Sequence, residues 1–250
     1  MQAADITSAP LGESADIVIL GEIHDNPAHH LFQAKVISAL NPRAVVFEMF
    51  GPDGAVALEG IDLGDAAAVG DALDWDDSGW PDFAIYAPVF AAMGEGRVFG
   101  GAAPRDEVRR AIADGAAVVF GDGAATLGLD RALPEDELAD RLNGQMEAHC
   151  NALPVDMLGG MVEAQRLRDA TLARATLDAL EALGGPVVII TGNGHARRDW
   201  GVPVYLAAAR PDLTVLSIGQ FEAAPEGAVP FDHWRVTDPA PREDPCAAFR

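Results

Sequence analysis

The chain has 250 residues, 49% of them hydrophobic, enough for a sizeable buried core and too many for a disordered protein. Its 17 basic and 39 acidic residues give a formal net charge of −22, which disfavours nucleic acid and anionic membrane surfaces as partners. No stretch approaches the roughly 20 apolar residues that span a bilayer.

Residues 1–15 read as a loose leader with no basic region followed by an apolar run. The location expected is cytoplasmic as the sequence stands, and periplasmic or surface if a leader has been removed. Ile17 to Leu20 form a short apolar strand ending at Gly21. Asn26 followed by Pro27 is a helix start, a side-chain acceptor and then a proline where no N–H is needed. That helix runs to about Leu40 and stops before Asn41-Pro42. AVVFEMF (44–50) reads as a second strand. Residues 51–80 contain a helix-like middle and a loop, DWDDSGWPD, expected to be exposed. Phe83 to Met93 read as helical, RVFGG (97–101) as a third strand, and a helix begins after Pro104.

Residues 134–184 form a long helical region broken near Pro154, a candidate subdomain or lid. PVVIITGN (186–193) is a fourth strand, a helix ends near Pro211, LTVLSIGQF (213–221) is a fifth strand, and HWRV is a short sixth. Continuously apolar strands separated by helices imply an α/β fold in three layers, a mostly parallel sheet with helices on both faces. One domain over 1–250, with the helical insertion inside it, accounts for this order. Cys150 and Cys246 lie far apart and suggest no disulfide framework, and neither CxxC nor CxxCH occurs.

Ligands of open parallel sheets bind outside the carboxyl ends of the strands. The first strand leads to Glu22, His24 and Asp25, the second to Glu48, the third to Arg105, and the fourth to Asn193 and His195. Glu22 and His24, two apart, point to the same side of an extended chain. A carboxylate beside an imidazole fixes its tautomer, raises its basicity or joins it in binding metal. Glu48 closes an apolar strand and needs a partner such as Arg105, a metal ion or a shared proton. Alternatively, each of these is an ordinary strand-end or turn residue. His29 and His30 sit in the first turn of the first helix, where one facing the site and a solvated helix start are equally good readings. Gln145 and His149, and Gln165 and Asp169, are one helical turn apart. Trp75, Trp80 and Tyr86 form either an apolar wall for a flat ligand or part of the core.

The segments GEIHDNPAHH (21–30), VVFEMF, WPDFAIYAPVF (80–90), GGAAPR (100–105), VEAQRLRDATLA (162–173), GNGHARRDWGVP (192–203) and REDPC (242–246) together resemble the ChaN-like haem-binding uptake family. Its wider grouping includes TIKI-type proteases and resembles erythromycin esterases. The resemblance implies a three-layer α/β fold, haem as cofactor, and an association with haem or iron acquisition. A homodimer enclosing the porphyrin is one arrangement consistent with it. The wider grouping implies a GE-x-H motif that supports metal-dependent or histidine-assisted hydrolysis in its enzymatic members, and it carries over as Glu22 and His24, with Glu48, Arg105 and His195 as matching partners. His149, Gln165, Asp169, Tyr86 and Asn193 are the further cofactor-binding candidates, and the axial ligand is left open among His, Tyr, Cys and Met. The alternative reading is a hydrolase holding a divalent metal ion on Glu22, His24, Glu48 and His195. A third is a cluster whose role is structural.

Overall fold

The computed structural model describes residues 15–244 and 246–247, so most of the expected leader lies outside the described residues. Two compact units emerge, one formed by residues 1–102 and 172–240, the other by residues 103–171 and 241–250.

The first unit holds six parallel strands: β1 (Ile17–Glu22), β2 (Ala44–Phe47), β3 (Arg97–Gly100), β4 (Val187–Gly192), β5 (Val215–Phe221) and β6 (His233–Val236). Their order is β3-β2-β4-β1-β5-β6, as expected of an α/β fold with a parallel sheet. β1 and β4 are buried along their whole length because both faces are covered, which is why their sequences are nearly unbroken Val, Ile and Leu. Register follows from the pairs Ile17↔Val187 to Glu22↔Gly192, which bring the ends of β1 and β4 level.

Helix α1 (Pro27–Leu40) begins where the sequence says it should. The Asn26 side chain accepts from Ala28 N at 2.9 Å, and Pro27 occupies the first turn. It ends at Asn41, whose φ of 45° is left-handed and whose N–H returns to Ile37 O. Then come α2 (Pro52–Ala57), α3 (Ala66–Ala72), α4 (Trp75–Ser78) and α5 (Phe83–Ala91), the third and fifth capped by Asp65 and Asp82. The segment expected as an exposed loop is not all exposed. Trp75 is fully packed, its Nε1–H donating to Pro81 O at 2.7 Å, because an indole beside Phe83 and Tyr86 gains more from burial than the flanking aspartates lose. One core face joins Val18, Leu20, Val45, Phe47, Val188 and Ile190 of the sheet to Phe32, Val36 and Ile37 of α1 and to Val89 and Phe90 of α5. Ile17, Ile19, Val46 and Ile189 on the opposite face are equally buried.

The second unit is helical: α6 (Arg105–Asp114), α7 (Ala116–Phe120), α8 (Glu135–Ala148) and the first part of α9 (Val155–Leu183). Helix α9 continues into the first unit, where α10 (Asn193–Ala196) and α11 (Val202–Ala209) follow β4. Arg166 organises the helical unit, donating to Leu129 O, Arg131 O and Glu163, while Glu163 also accepts from Ala116 N. Cys150 and Cys246 form a disulfide across 96 positions, correcting the expectation from spacing. The tail returns to the α8–α9 turn, a contact that local sequence does not reveal. No helix among the described residues is long and apolar enough to cross a membrane.

Ile190→Ala, in a central strand with no exposure, is expected to cost about 2–5 kcal/mol of unfolding free energy. Val56→Ala, at a position 63% exposed, should stay within about 0.5 kcal/mol. Urea unfolding of the two variants checks the assigned core.

Candidate functional site at the carboxyl end of the sheet

Glu22 ends β1 with its side chain almost completely buried, and both oxygens are occupied. Oε1 lies 2.8 Å from His24 Nδ1 and accepts from Tyr86 OH at 3.0 Å. Oε2 accepts from Gln33 Nε2 at 2.7 Å and lies 3.4 Å from His30 Nδ1. A buried carboxylate needs this many partners to offset its lost hydration. Burial and the Glu22 carboxylate push the Tyr86 phenol far above its ordinary value, so it stays a donor.

His30 and His29, both fully buried, are not a solvated helix start. His30 Nε2 donates to the His24 carbonyl at 2.9 Å, and its Nδ1 faces Gln33 Oε1 at 3.1 Å. His29 turns the other way. Its Nδ1 accepts from Ile23 N at 2.9 Å, and its Nε2 lies 3.0 Å from Thr237 Oγ1. Burial lowers its pKa to about 4, in keeping with a neutral ring.

With Nδ1 turned to Glu22, His24 is set to present Nε2 as its reactive atom. That atom has no hydrogen-bond partner among the described residues. It lies against Gly192, where an added Cβ would sit 2.9 Å from Nε2, so the ring's position depends on the missing side chain. Trp80 packs edge-on against the His24 ring, centroids 4.7 Å apart, and is itself fixed by its Nε1–H to Met49 O.

Glu48, just past β2, finds its partners on the neighbouring strand β4. Its Oε2 accepts from Thr191 Oγ1 at 2.6 Å and Gly192 N at 2.7 Å, and its Oε1 lies 3.4 Å from His195 Nε2. Burial is the largest influence on this carboxyl and pushes it up. His195, His24, the Thr191 hydroxyl and the Gly192 N–H together outweigh burial and hold it below its ordinary value. For His24 burial is again largest and lowers the pKa, but the Glu22 hydrogen bond and the charges of Glu48 and Glu22 leave it raised.

Glu22, His24, Glu48, His195 and Tyr86 therefore share one end of the sheet. Asn193 stands beside them but spends its side chain on β5, donating to Gln220 O and accepting from Gln220 N. Gln33 is a member of the cluster that carried no sequence signal beyond its place one turn after His29 and His30. Arg105 opens α6 in the helical unit and is exposed. Gln165, His149 and the buried Asp169 also belong to that unit. The cluster is equipped to hold a proton at His24 Nε2 with Glu22 fixing the ring. Its donors are less suited to a metal ion, since both Glu22 oxygens are engaged. Among the described residues no group of three or more His, Cys, Asp or Glu side chains is arranged to hold one.

Because folding raises the His24 pKa from 6.5, the native state binds that proton more tightly than the unfolded chain. The resulting stability is fully present below pH 6.5 and lost as pH rises through the higher folded value. Glu48 has the opposite sign, its contribution present above pH 4.5 and lost as pH falls through the lower folded value. An NMR titration of His24 should give a midpoint above 6.5, falling in Glu22→Gln; a wild-type midpoint at or below 6.5 contradicts the assigned pairing.

A family model described as haem-binding uptake, Tiki superfamily, ChaN matches residues 12–206. Among solved structures, ChaN of Campylobacter jejuni, studied for cofacial haem binding, is similar with a TM-score of 0.65 and 18% identity, covering 87% of this chain and 85% of that one. The type III effector HopBA1 has a TM-score of 0.44 and 14% identity, with 85% and 80% covered. No curated protein matches the chain. At 18% identity the likeness to ChaN establishes the fold, and the family model adds the lineage: this chain belongs to the haem-binding uptake family of the Tiki superfamily.

Proposed function

We propose that this chain binds haem and that His149 supplies an axial ligand to the iron. The family match over residues 12–206 carries the haem reading, and the state of the histidines, cysteines and tyrosines supports the choice of residue. Haem iron takes His, Cys, Met or Tyr. The two tyrosines, Tyr86 and Tyr205, are buried, and Tyr86 is committed to Glu22. Both cysteines are in the disulfide. His29 and His30 are fully buried, and His195 is held against Glu48. His24 is held by Glu22 and packed by Trp80, with Nε2 close against Gly192.

His24 also keeps Nε2 open among the described residues, but its Nδ1 is spent on a buried carboxylate, whereas His149 is oriented by a neutral carbonyl. His149 caps α8 and is half-buried, and its Nδ1 lies 2.8 Å from Gln145 O, so Nδ1–H donates and Nε2 keeps its lone pair. A ligating histidine is commonly oriented in this way by a carbonyl at its other nitrogen. Nε2 has no hydrogen-bond partner among the described residues. The turn that follows leads into Val155 and Met157, which are 75% and 43% exposed, and apolar surface left open in this manner suits a porphyrin face. His233 is also exposed, but it lies outside residues 12–206 and no hydrogen bond among the described residues orients it. Held by His149, haem would supply an iron centre for ligand binding. The polypeptide's part is to fix the imidazole and shield the ring from water.

Titration with hemin, followed at the Soret band, tests this. Wild type should saturate, His149→Ala should bind at least about tenfold more weakly, and His24→Ala should retain wild-type affinity. An absent Soret shift in wild type would sink the haem reading, and an unchanged His149→Ala would sink the ligand assignment.

A further inference from the structure

His149 is followed directly by Cys150, whose sulfur is bonded to Cys246. Cys150 and Asn151 have φ of 59° and 58°, two consecutive left-handed residues, neither of them glycine. Such a conformation is one that L-residues seldom hold without support. Backbone bonds supply part of that support, Cys150 N to Glu147 O, Asn151 N to Met146 O and Ala152 N to His149 O. The cross-link also anchors Cys150 to the tail segment, which is itself turned by Cys246 N and Ala247 N donating to Asp244. The residue that follows the candidate ligand is therefore the residue that carries the bonded sulfur.

We infer that the Cys150–Cys246 disulfide is a redox switch on the haem site, holding the turn after His149 in its binding conformation when oxidised and releasing it when reduced. The inference rests on the haem reading and on His149 as ligand. The reaction is ordinary thiol–disulfide exchange with an external dithiol. One thiolate of the dithiol attacks a sulfur of the pair, the Cys–Cys bond breaks, and a mixed disulfide forms. The second thiol of the reagent then resolves it. Two electrons and two protons pass to Cys150 and Cys246, and the dithiol leaves as its own disulfide. Freed of the link, the two left-handed residues lose one of their restraints. The last turn of α8, including the Nδ1–H bond from His149 to Gln145 O, then has a relaxed alternative. Haem is thereby held in an oxidising compartment and given up in a reducing one, the setting in which such bonds persist or break.

Three samples of the full chain decide the matter: oxidised protein, protein reduced with a dithiol and desalted under anaerobic conditions, and the Cys150→Ser/Cys246→Ser double variant. Each is titrated with hemin after far-UV circular dichroism has shown native helix content. Tight binding is expected for oxidised protein, with about tenfold weaker binding for both others, and no response of the double variant to dithiol. The double variant lacks thiols, so weak binding there is not a change of ligand to sulfur. Equal affinity in all three, with oxidised protein binding hemin, overturns the switch and leaves the haem reading standing. Two titratable thiols in denatured, unreduced protein overturn the disulfide itself. Failure of oxidised protein to bind hemin overturns both readings.

Discussion

The buried carboxylate of Glu22 is the constraint on which the sheet end depends. It sits on β1, the strand paired to both β4 and β5, and draws in His24 from the loop, Gln33 and His30 from α1, and Tyr86 from α5. Four side chains from three segments converge on two oxygens. An unpaired carboxylate there would be costly, so each partner is held in place by the need to satisfy it. The packing of α1 against α5 and the direction of the His24 ring follow from the same demand. Glycine at 192 follows too, because any side chain would strike the ring that Glu22 has oriented.

Much of this was legible in order of residues. Period-free apolar runs marked β1 and β4, and Asn26-Pro27 marked the start of α1, because those signals act through local geometry alone. Strand-end position singled out Glu22, His24, Glu48 and His195, and the parallel register of β1 with β4 brings their ends level. Partners were harder. Glu48 pairs with Thr191, Gly192 and His195, a choice made by strand order, which composition does not contain. Gln33 looked like any polar helix residue until α1 was laid against β1. His30 reads as a solvated helix start unless one knows that a carboxylate lies beneath it. The disulfide was invisible for the same reason, since its two halves meet only after the tail has folded back within the helical unit.

The two units divide the chemistry. The sheet end holds a tightly cross-bonded Glu–His cluster in which His24 Nε2 has no hydrogen-bond partner among the described residues. The helical unit offers an oriented imidazole beside exposed apolar residues, closer to what an iron porphyrin requires. Membership of the haem-binding uptake family is compatible with either location, so the division rests on side-chain chemistry: a histidine bound to a buried carboxylate in one unit, a histidine oriented by a carbonyl in the other. On this account the Glu22 cluster is held together by its own hydrogen bonds, not by the haem.

Locating the iron is the most direct test. Anomalous diffraction at the iron edge from crystals of the hemin-loaded protein should show a peak at bonding distance from His149 Nε2. A peak against His24 or Glu48, or hemin-soaked crystals without an iron peak, would contradict the account.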